Sequence, residues 1–198
     1  MKLSEFQALT AVEVQAIIEA SVETTSERLA LQLRKTHPQL PTAAIATQVK
    51  LRQRARKKLP TFAKAGCLLH AVAFEQATAE ALWRHKPCGA GALAIDIGFG
   101  CAADTLALAR RYKRVIAIEQ DEVLVELAHY NFKRLGVNNV EFIQADALEW
   151  LTANASLQPD LVYVDPARRN LSSDKLVPIE SMSPNLHALA PLLAASQT

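Results

Sequence analysis

No stretch of about 18 uncharged apolar residues, the length a helix needs to cross a bilayer, occurs anywhere in the sequence. A membrane-spanning helix is therefore not expected. The N-terminal MKLSEFQALTAVEVQ alternates glutamate with apolar residues and has no signal-peptide h-region, so a cytoplasmic location is expected. Cysteine is scarce: Cys67, Cys88 and Cys101 are odd in number and lack framework spacing, which argues against a disulfide scaffold and for a reducing compartment. Cys67 with His70, and His85 with Cys88, have the chemistry of a tetrahedral zinc set. Cys67, Leu68 and Leu69 nevertheless lie in an apolar helical run, where a free cysteine acts as a small hydrophobe, and no metal is expected. Internal repeats and low-complexity tracts are absent, and no acid stands between Pro41 and Lys64.

What remains is ample material for a core. Hydrophobic residues make up 50% of the chain and charged ones 21%, which excludes wholesale disorder. The length of 198 residues allows one domain, or a small domain beside an incomplete larger one. Charge is divided unevenly. Residues 1–90 hold 13 Lys/Arg against 7 Asp/Glu, whereas residues 91–198 hold 9 against 13. The two halves are suited to different partners.

The first half reads as helical, with apolar residues recurring at three and four positions around Val14 to Ile18 and around Leu29, Leu31 and Leu33. Pro38 and Pro41 precede a third helix that runs from Thr42 to Leu59, ahead of Pro60. It carries Lys50, Arg52, Arg54, Arg56, Lys57 and Lys58, of which 50, 54, 57 and 58 share a face. Such a stripe suits a phosphate backbone or a solvated bundle face. A helix-prone segment follows from Ala71 to Trp83, in which Glu75, Gln76 and Thr78 stand in small apolar surroundings and are either partnered or functional.

The second half is organised around residues 92–119, ALAIDIGFGCAADTLALARRYKRVIAIE. Leu93 to Ile97 is the pattern of a parallel strand covered on both faces, with Asp96 near its end. Gly98 and Gly100 then permit a tight turn and close approach of a ligand. Ala102 and Ala103 open a helix, and Val115 to Ile118 form a second strand closed by Glu119. An acid roughly 20 positions beyond a glycine turn is placed to hold the two hydroxyls of a ribose.

After Glu119 the pattern continues as helix, strand, helix, strand. Val123, Leu124, Leu127, Tyr130 and Leu135 fit one helical face, and Val140 to Ile143 form a third strand leading to Asp146. Leu161 to Val164 form a fourth, ending at Asp165-Pro166. Alternating strands and helices imply a parallel sheet with ligands at the strands' carboxyl ends. Four acids, Asp96, Glu119, Asp146 and Asp165, fall at that one edge. Crowded carboxylates repel, so a polyhydroxylated or cationic ligand gives a reason for the arrangement.

Taken together, IDIGFGCAADT, VIAIEQD, FIQADALEW and LVYVDPARR resemble the class I S-adenosylmethionine-dependent methyltransferases over residues 91 to about 170. The resemblance implies a Rossmann-like α/β parallel sheet with S-adenosylmethionine as cofactor. The methionine moiety would be held by Asp96, Gly98 and Gly100, the ribose by Glu119, and the adenine would lie beside Asp146. Asp165 and Pro166 would face the methyl acceptor. Within the superfamily, Phe74-Glu75-Gln76 paired with Asp165-Pro166-x-Arg168 is similar to bacterial THUMP-like, RNA-modifying members. That likeness promotes Glu75, Gln76 and Thr78 to candidate cofactor residues. It also implies an RNA substrate, with Arg168, Arg169, Arg52, Arg54, Lys57 and Lys58 as candidate phosphate contacts.

Two departures qualify the expectation. Amino-directed enzymes show Asp-Pro-Pro-aromatic where Ala167 and Arg168 stand, and uridine-C5 enzymes need a nucleophilic cysteine from a later motif. The methyl acceptor thus stays open. Only four strands of the family's seven are readable, so a partial catalytic domain (67–198) behind a helical domain (1–66) is expected, with an unpaired sheet edge that invites self-association. A last amphipathic helix is expected over Pro184 to Thr198. The competing readings are an NAD-dependent oxidoreductase and a non-catalytic RNA-binding module.

Overall fold

The computed structural model describes residues 1–165 and 185–195. Five helices come first: α1 (Leu3–Leu9), α2 (Val12–Ala20), α3 (Ser26–Thr36), α4 (Thr42–Lys58) and α5 (Pro60–Lys64). Pro60 begins α5 at a position where its missing N–H is no loss. Helix α6 (Ala71–Gln76) and a 3-10 helix (Glu80–His85) lead into the sheet. The sheet is built as β1 (Gly91–Ile97), α7 (Ala103–Ala109), β2 (Tyr112–Glu119), α8 (Glu122–Leu135), β3 (Val140–Gln144), α9 (Ala147–Ala153) and β4 (Leu161–Val164). α10 (Leu186–Ala195) follows within the expected span. All pairings are parallel, in the order β3-β2-β1-β4. Among the described residues β3 and β4 are the outer strands.

Both sheet faces are covered, as the continuous apolar runs require. Ile95, Ile97, Ile116 and Ile118 pack with Leu189 of α10 and with Trp150 and Leu151 of α9. Ala94, Val115 and Leu108 of α7 form a cluster on the opposite side with Tyr112 and Cys88. A larger core joins Ala117 and Phe142 of the sheet to Val125 and Phe132 of α8, and continues into Leu51, Leu59 and Phe62 of the N-terminal helices. Helix α8 is therefore covered twice. Val125, Ala128 and Phe132 face the sheet, whereas Leu127 lies in a second core with Ile18, Leu29, Leu33 and Ile45, flanked by Val123, Leu124 and Tyr130. Of the face expected from the sequence, all but Leu135 meets the helical region; Leu135 packs against the sheet-side core.

Two segments depart from the expected helices. Cys67 to Leu69 is irregular because neighbouring side chains take its backbone groups. Asn131 accepts from Leu68 N and donates to Leu68 O, each at 2.9 Å, while Gln48 does the same for Leu69 at 2.9 and 2.8 Å. These amides replace the helical partners such a buried segment would otherwise need. The Ala71 to Trp83 segment breaks after Gln76, where Ala77 turns to an extended conformation. Beyond the break, the Glu80 carboxylate accepts from Thr61 N at 2.7 Å and Thr61 Oγ1 at 2.6 Å, capping the first turn of α5. That long-range cap holds the second half of the segment away from α6.

Candidate functional site

Parallel strands bring all four carboxyl ends to one edge, and β2 and β4 flank β1 on opposite sides. This is the switch point at which a crevice opens in α/β sheets. The turn after β1 is shaped by Gly98 and Gly100, at φ of 71° and 53°. Gly100 has nothing within 4 Å of where a Cβ would project, so its conformation, not crowding, requires glycine, and the space beyond is open. Ala102 also adopts a left-handed φ of 56° before α7 begins, although the sequence placed it inside the helix. Phe99 anchors the turn from below, edge-on to Phe142 with centroids 5.2 Å apart.

Glu119 ends β2 beside that turn. Its Oε2 accepts from Gly100 N at 3.1 Å, and its Oε1 accepts from Gln120 N at 2.9 Å and Asp121 N at 3.2 Å. Burial raises its pKa against the opposing pull of these amides. Asp96 lies deeper, 2% exposed, and accepts from Thr105 Oγ1 at 2.5 Å. Burial pushes its carboxyl up to about 7, with Thr105 pulling it down and nearby Asp104 raising it. Asp146 caps α9, accepting from Leu148 N and Glu149 N through Oδ1 at 2.9 and 3.1 Å. Asp165 follows β4, exposed, with Oδ2 4.0 Å from Lys86 Nζ.

The acids thus gather at one sheet edge. Thr78 reaches it as well, accepting from Lys86 Nζ at 2.9 Å. Glu75 does not: it turns outward into a two-pronged pair with Arg54, whose Nη2 donates at 2.9 Å, and the guanidinium holds its carboxyl below the usual range. Gln76 is exposed at the end of α6. Pro166, Arg168 and Arg169 lie outside the described residues.

The basic helix needs correction. Arg52 is 4% exposed and cannot meet a phosphate. Its Nη2 donates to Gly66 O at 2.6 Å and Gln15 Oε1 at 2.8 Å, and its Nε to Cys67 O at 3.3 Å. Lys58 Nζ donates to the Phe74 and Glu75 carbonyls at 2.6 and 2.7 Å, closing the end of α6. Lys50, Arg54 and Lys57 remain exposed on α4. The basic end of that helix approaches the glycine turn, since Leu59 shares a core with Phe99 and Cys101, and Lys58 and Cys101 interact electrostatically. All three cysteines are free and buried. Burial drives the thiols of Cys67 and Cys101 up to about 12 and raises that of Cys88.

Residues the sequence reading passed over are Thr105, Asp104, Lys86 and Tyr163. The signal for Thr105 was its place in the helix after the turn, nine residues beyond Asp96. Lys86 carried none, because its neighbours come from 8, 18 and 77 positions away.

Comparison with known proteins bears on the fold. Residues 94–176 match the family model described as "Methyltransferase domain". The chain is 31% identical over 98 residues to a 23S rRNA (uracil(747)-C(5))-methyltransferase of Pectobacterium atrosepticum, covering 50% of this chain and 23% of that protein. It is 32% identical over 90 residues to an "Uncharacterized RNA methyltransferase" of Mycoplasma mobile, covering 46% of this chain and 24% of the other. The match therefore spans about a quarter of these relatives' length. A crystal structure of a "putative methyltransferase" from Porphyromonas gingivalis W83 superposes with a TM-score of 0.72 at 27% identity, over 91% of this chain and 46% of that one. The fold is the Rossmann-like α/β architecture of methyltransferases.

Proposed function

We propose that this chain is the cofactor-binding core of an S-adenosylmethionine-dependent methyltransferase acting on RNA, related to the enzymes that carry a THUMP-like domain, with a helical region (residues 1–66) ahead of the catalytic fold. The observation that carries the reading is the pairing of Glu119 with the Gly100 amide above a buried Asp96, at the switch point of a parallel sheet. Sequence similarity to RNA methyltransferases supports the substrate class.

The residues present fit the cofactor. Asp96, once ionised, is able to hold the amino group of a methionine moiety, and open space above Gly100 allows the turn to be approached closely. Glu119 has three of its roughly four lone-pair positions filled by backbone amides, so a ribose diol takes the remaining one and competes with Gly100 N. Asp146, whose Oδ1 caps α9, would lie beside the adenine. When bound, S-adenosylmethionine supplies a sulfonium methyl for in-line transfer. The protein's task is alignment, worth roughly 7–11 kcal/mol of barrier when the reacting groups are held in near-attack geometry. Asp165 would accept a hydrogen bond from the acceptor's N–H or O–H, and the roles that the family likeness gives Pro166, Arg168 and Arg169 are contact with the acceptor and the clamping of a phosphate. With every cysteine buried and its thiol raised, this chain's own residues suit direct transfer better than a cysteine-linked route.

Calorimetric titration with S-adenosylmethionine and, separately, NADH is the primary test, followed by methyl-label transfer to total bacterial RNA. Saturable binding of the first and none of the second is expected. Binding of NADH alone would instead make the chain an oxidoreductase. The exposed cations of α4 give a second expectation: replacing Arg54 and Lys57 by Ala weakens RNA binding and reduces its salt slope by about 0.7 for each single-strand phosphate that is no longer neutralised, with cofactor affinity unchanged. An unaltered slope in salt-dependent RNA titrations would remove α4 from the interface.

A further inference from the structure

Lys86 belongs to none of the motifs that mark the site, yet its ammonium sits where the site's elements converge. Nζ donates to Asp104 Oδ1 in the first turn of α7 at 2.8 Å, to Thr78 Oγ1 at 2.9 Å and to the Tyr163 hydroxyl on β4. The three donors of an ammonium are thereby taken by three separate segments. Asp165 Oδ2, at 4.0 Å, feels the charge without giving up an oxygen to it. The other end of the residue is fixed too, since Lys86 O accepts from Cys88 N at 2.9 Å and Arg111 Nη1 at 3.3 Å.

Asp96 lies in register with Tyr163 on β4 and with Ala117 on β2. The charged and titratable groups around it are Asp104 from α7, Lys86 and Cys88 from the segment before β1, and Asp165 and Tyr163 from β4, with Thr105 as its hydrogen-bond donor. Three carboxylates therefore lie around the Lys86 ammonium, and Arg111 lines the adjoining cavity with Asp104 and Tyr163. Resting on the methyltransferase reading, we propose that Lys86 is a positioning residue: it pins the Tyr163 to Asp165 end of β4 and the Thr78 segment onto α7, and supplies the counter-charge that lets Asp96 become an anion for the cofactor's amino group. Without that cation, Asp104 and Asp165 oppose ionisation of Asp96 unscreened. The effect of Lys86 on binding is consequently indirect, and it changes with pH.

Lys86→Met keeps the apolar stem and removes the charge. Calorimetry with S-adenosylmethionine across about pH 6–9 is expected to show the midpoint of binding raised by about one unit, hence roughly fivefold weaker binding near pH 7 and approaching tenfold toward pH 6. Near pH 9, where Asp96 is ionised in both proteins, the deficit shrinks to what the lost pinning of β4 and the Thr78 segment costs. Lys86→Arg restores the parent profile. A merely structural role would weaken binding equally at all pH values. Should Lys86→Met fail to fold, Asp104→Asn carries the test, with the midpoint expected to move down. Carbon-13 NMR titration of the Asp96 carboxyl in cofactor-free protein separates the two readings. A shifted titration without cofactor binding would sink the methyltransferase proposal and keep the counter-charge role. An Asp96 titration that coincides in parent and variant overturns the role of Lys86 whatever the protein binds.

Discussion

Asp96→Asn is expected to make the cofactor-free protein more stable at pH 8 and less stable at pH 4, while lowering affinity for S-adenosylmethionine at least about a hundredfold through loss of a buried charged partner worth roughly 3 kcal/mol. The sign follows from burial. In the unfolded chain this carboxyl ionises near 3.8, whereas in the folded protein it is held up to about 7. Stability from the neutral carboxyl is complete below the lower value. It is lost progressively as pH rises toward the upper one, reaching a penalty of roughly 4 kcal/mol above it. Asparagine never ionises and so escapes that penalty. Its amide, however, brings N–H groups to a site where Thr105 is already a donor, which costs about 1–3 kcal/mol. The difference favours the variant at high pH by about 1–3 kcal/mol, and each kilocalorie moves the melting midpoint by about 2–4 °C in a chain of this size. Thermal melts at the two pH values, with calorimetric titration of the cofactor, are the measurements. A variant less stable than its parent at both pH values would mean that Asp96 is not strained by its charge, and retained affinity would remove it from the cofactor site.

Arg52→Met should destabilise the protein by about 3 kcal/mol and leave the RNA affinity of the folded fraction unchanged. The guanidinium joins Gln15 on α2 to the carbonyls of Gly66 and Cys67, bracing the irregular segment that links the helices to the sheet. Removing it strands three buried acceptors at about 1–3 kcal/mol each, offset in part by the desolvation that the charge no longer suffers. Lysine is not expected to rescue the variant, because a single ammonium cannot reproduce a planar fork that spans three acceptors. Denaturant unfolding reads the effect directly. Weakened RNA binding with undiminished stability would return Arg52 to the surface stripe from which its burial removes it.

The contrast between Asp96 and Arg52 shows where reading a sequence succeeds and where it stops. Asp96, Glu119, Asp146 and Asp165 were placed at one edge by periodicity alone, because every strand of a parallel sheet points the same way and each acid follows its own apolar run. Nothing long-range had to be known. Of the expected helix face, Val123, Leu124, Leu127 and Tyr130 meet the bundle of α1 to α4, a partner the sequence did not show, whereas Leu135 packs against the core on the sheet side. Arg52 looked like its neighbours on α4, since the spacing of charges shows which residues share a face and leaves open what lies against the other one. Glu75 was drawn toward the cofactor pocket by the family likeness, whereas its partner is Arg54, 21 positions upstream.

By itself, the amino-acid sequence determined the alternation of strand and helix, the glycine turn and the common edge of the acids, because these depend on backbone conformation and on local apolar periods. Tertiary structure alone decided that Lys86 joins Thr78, Asp104 and Tyr163, that Arg52 is internal, and that Cys67 to Leu69 is held by Asn131 and Gln48. The physical reason is the same in each case. A buried polar group is satisfied by whatever the folded chain brings within about 3 Å, and that partner leaves no periodic trace in the order of residues.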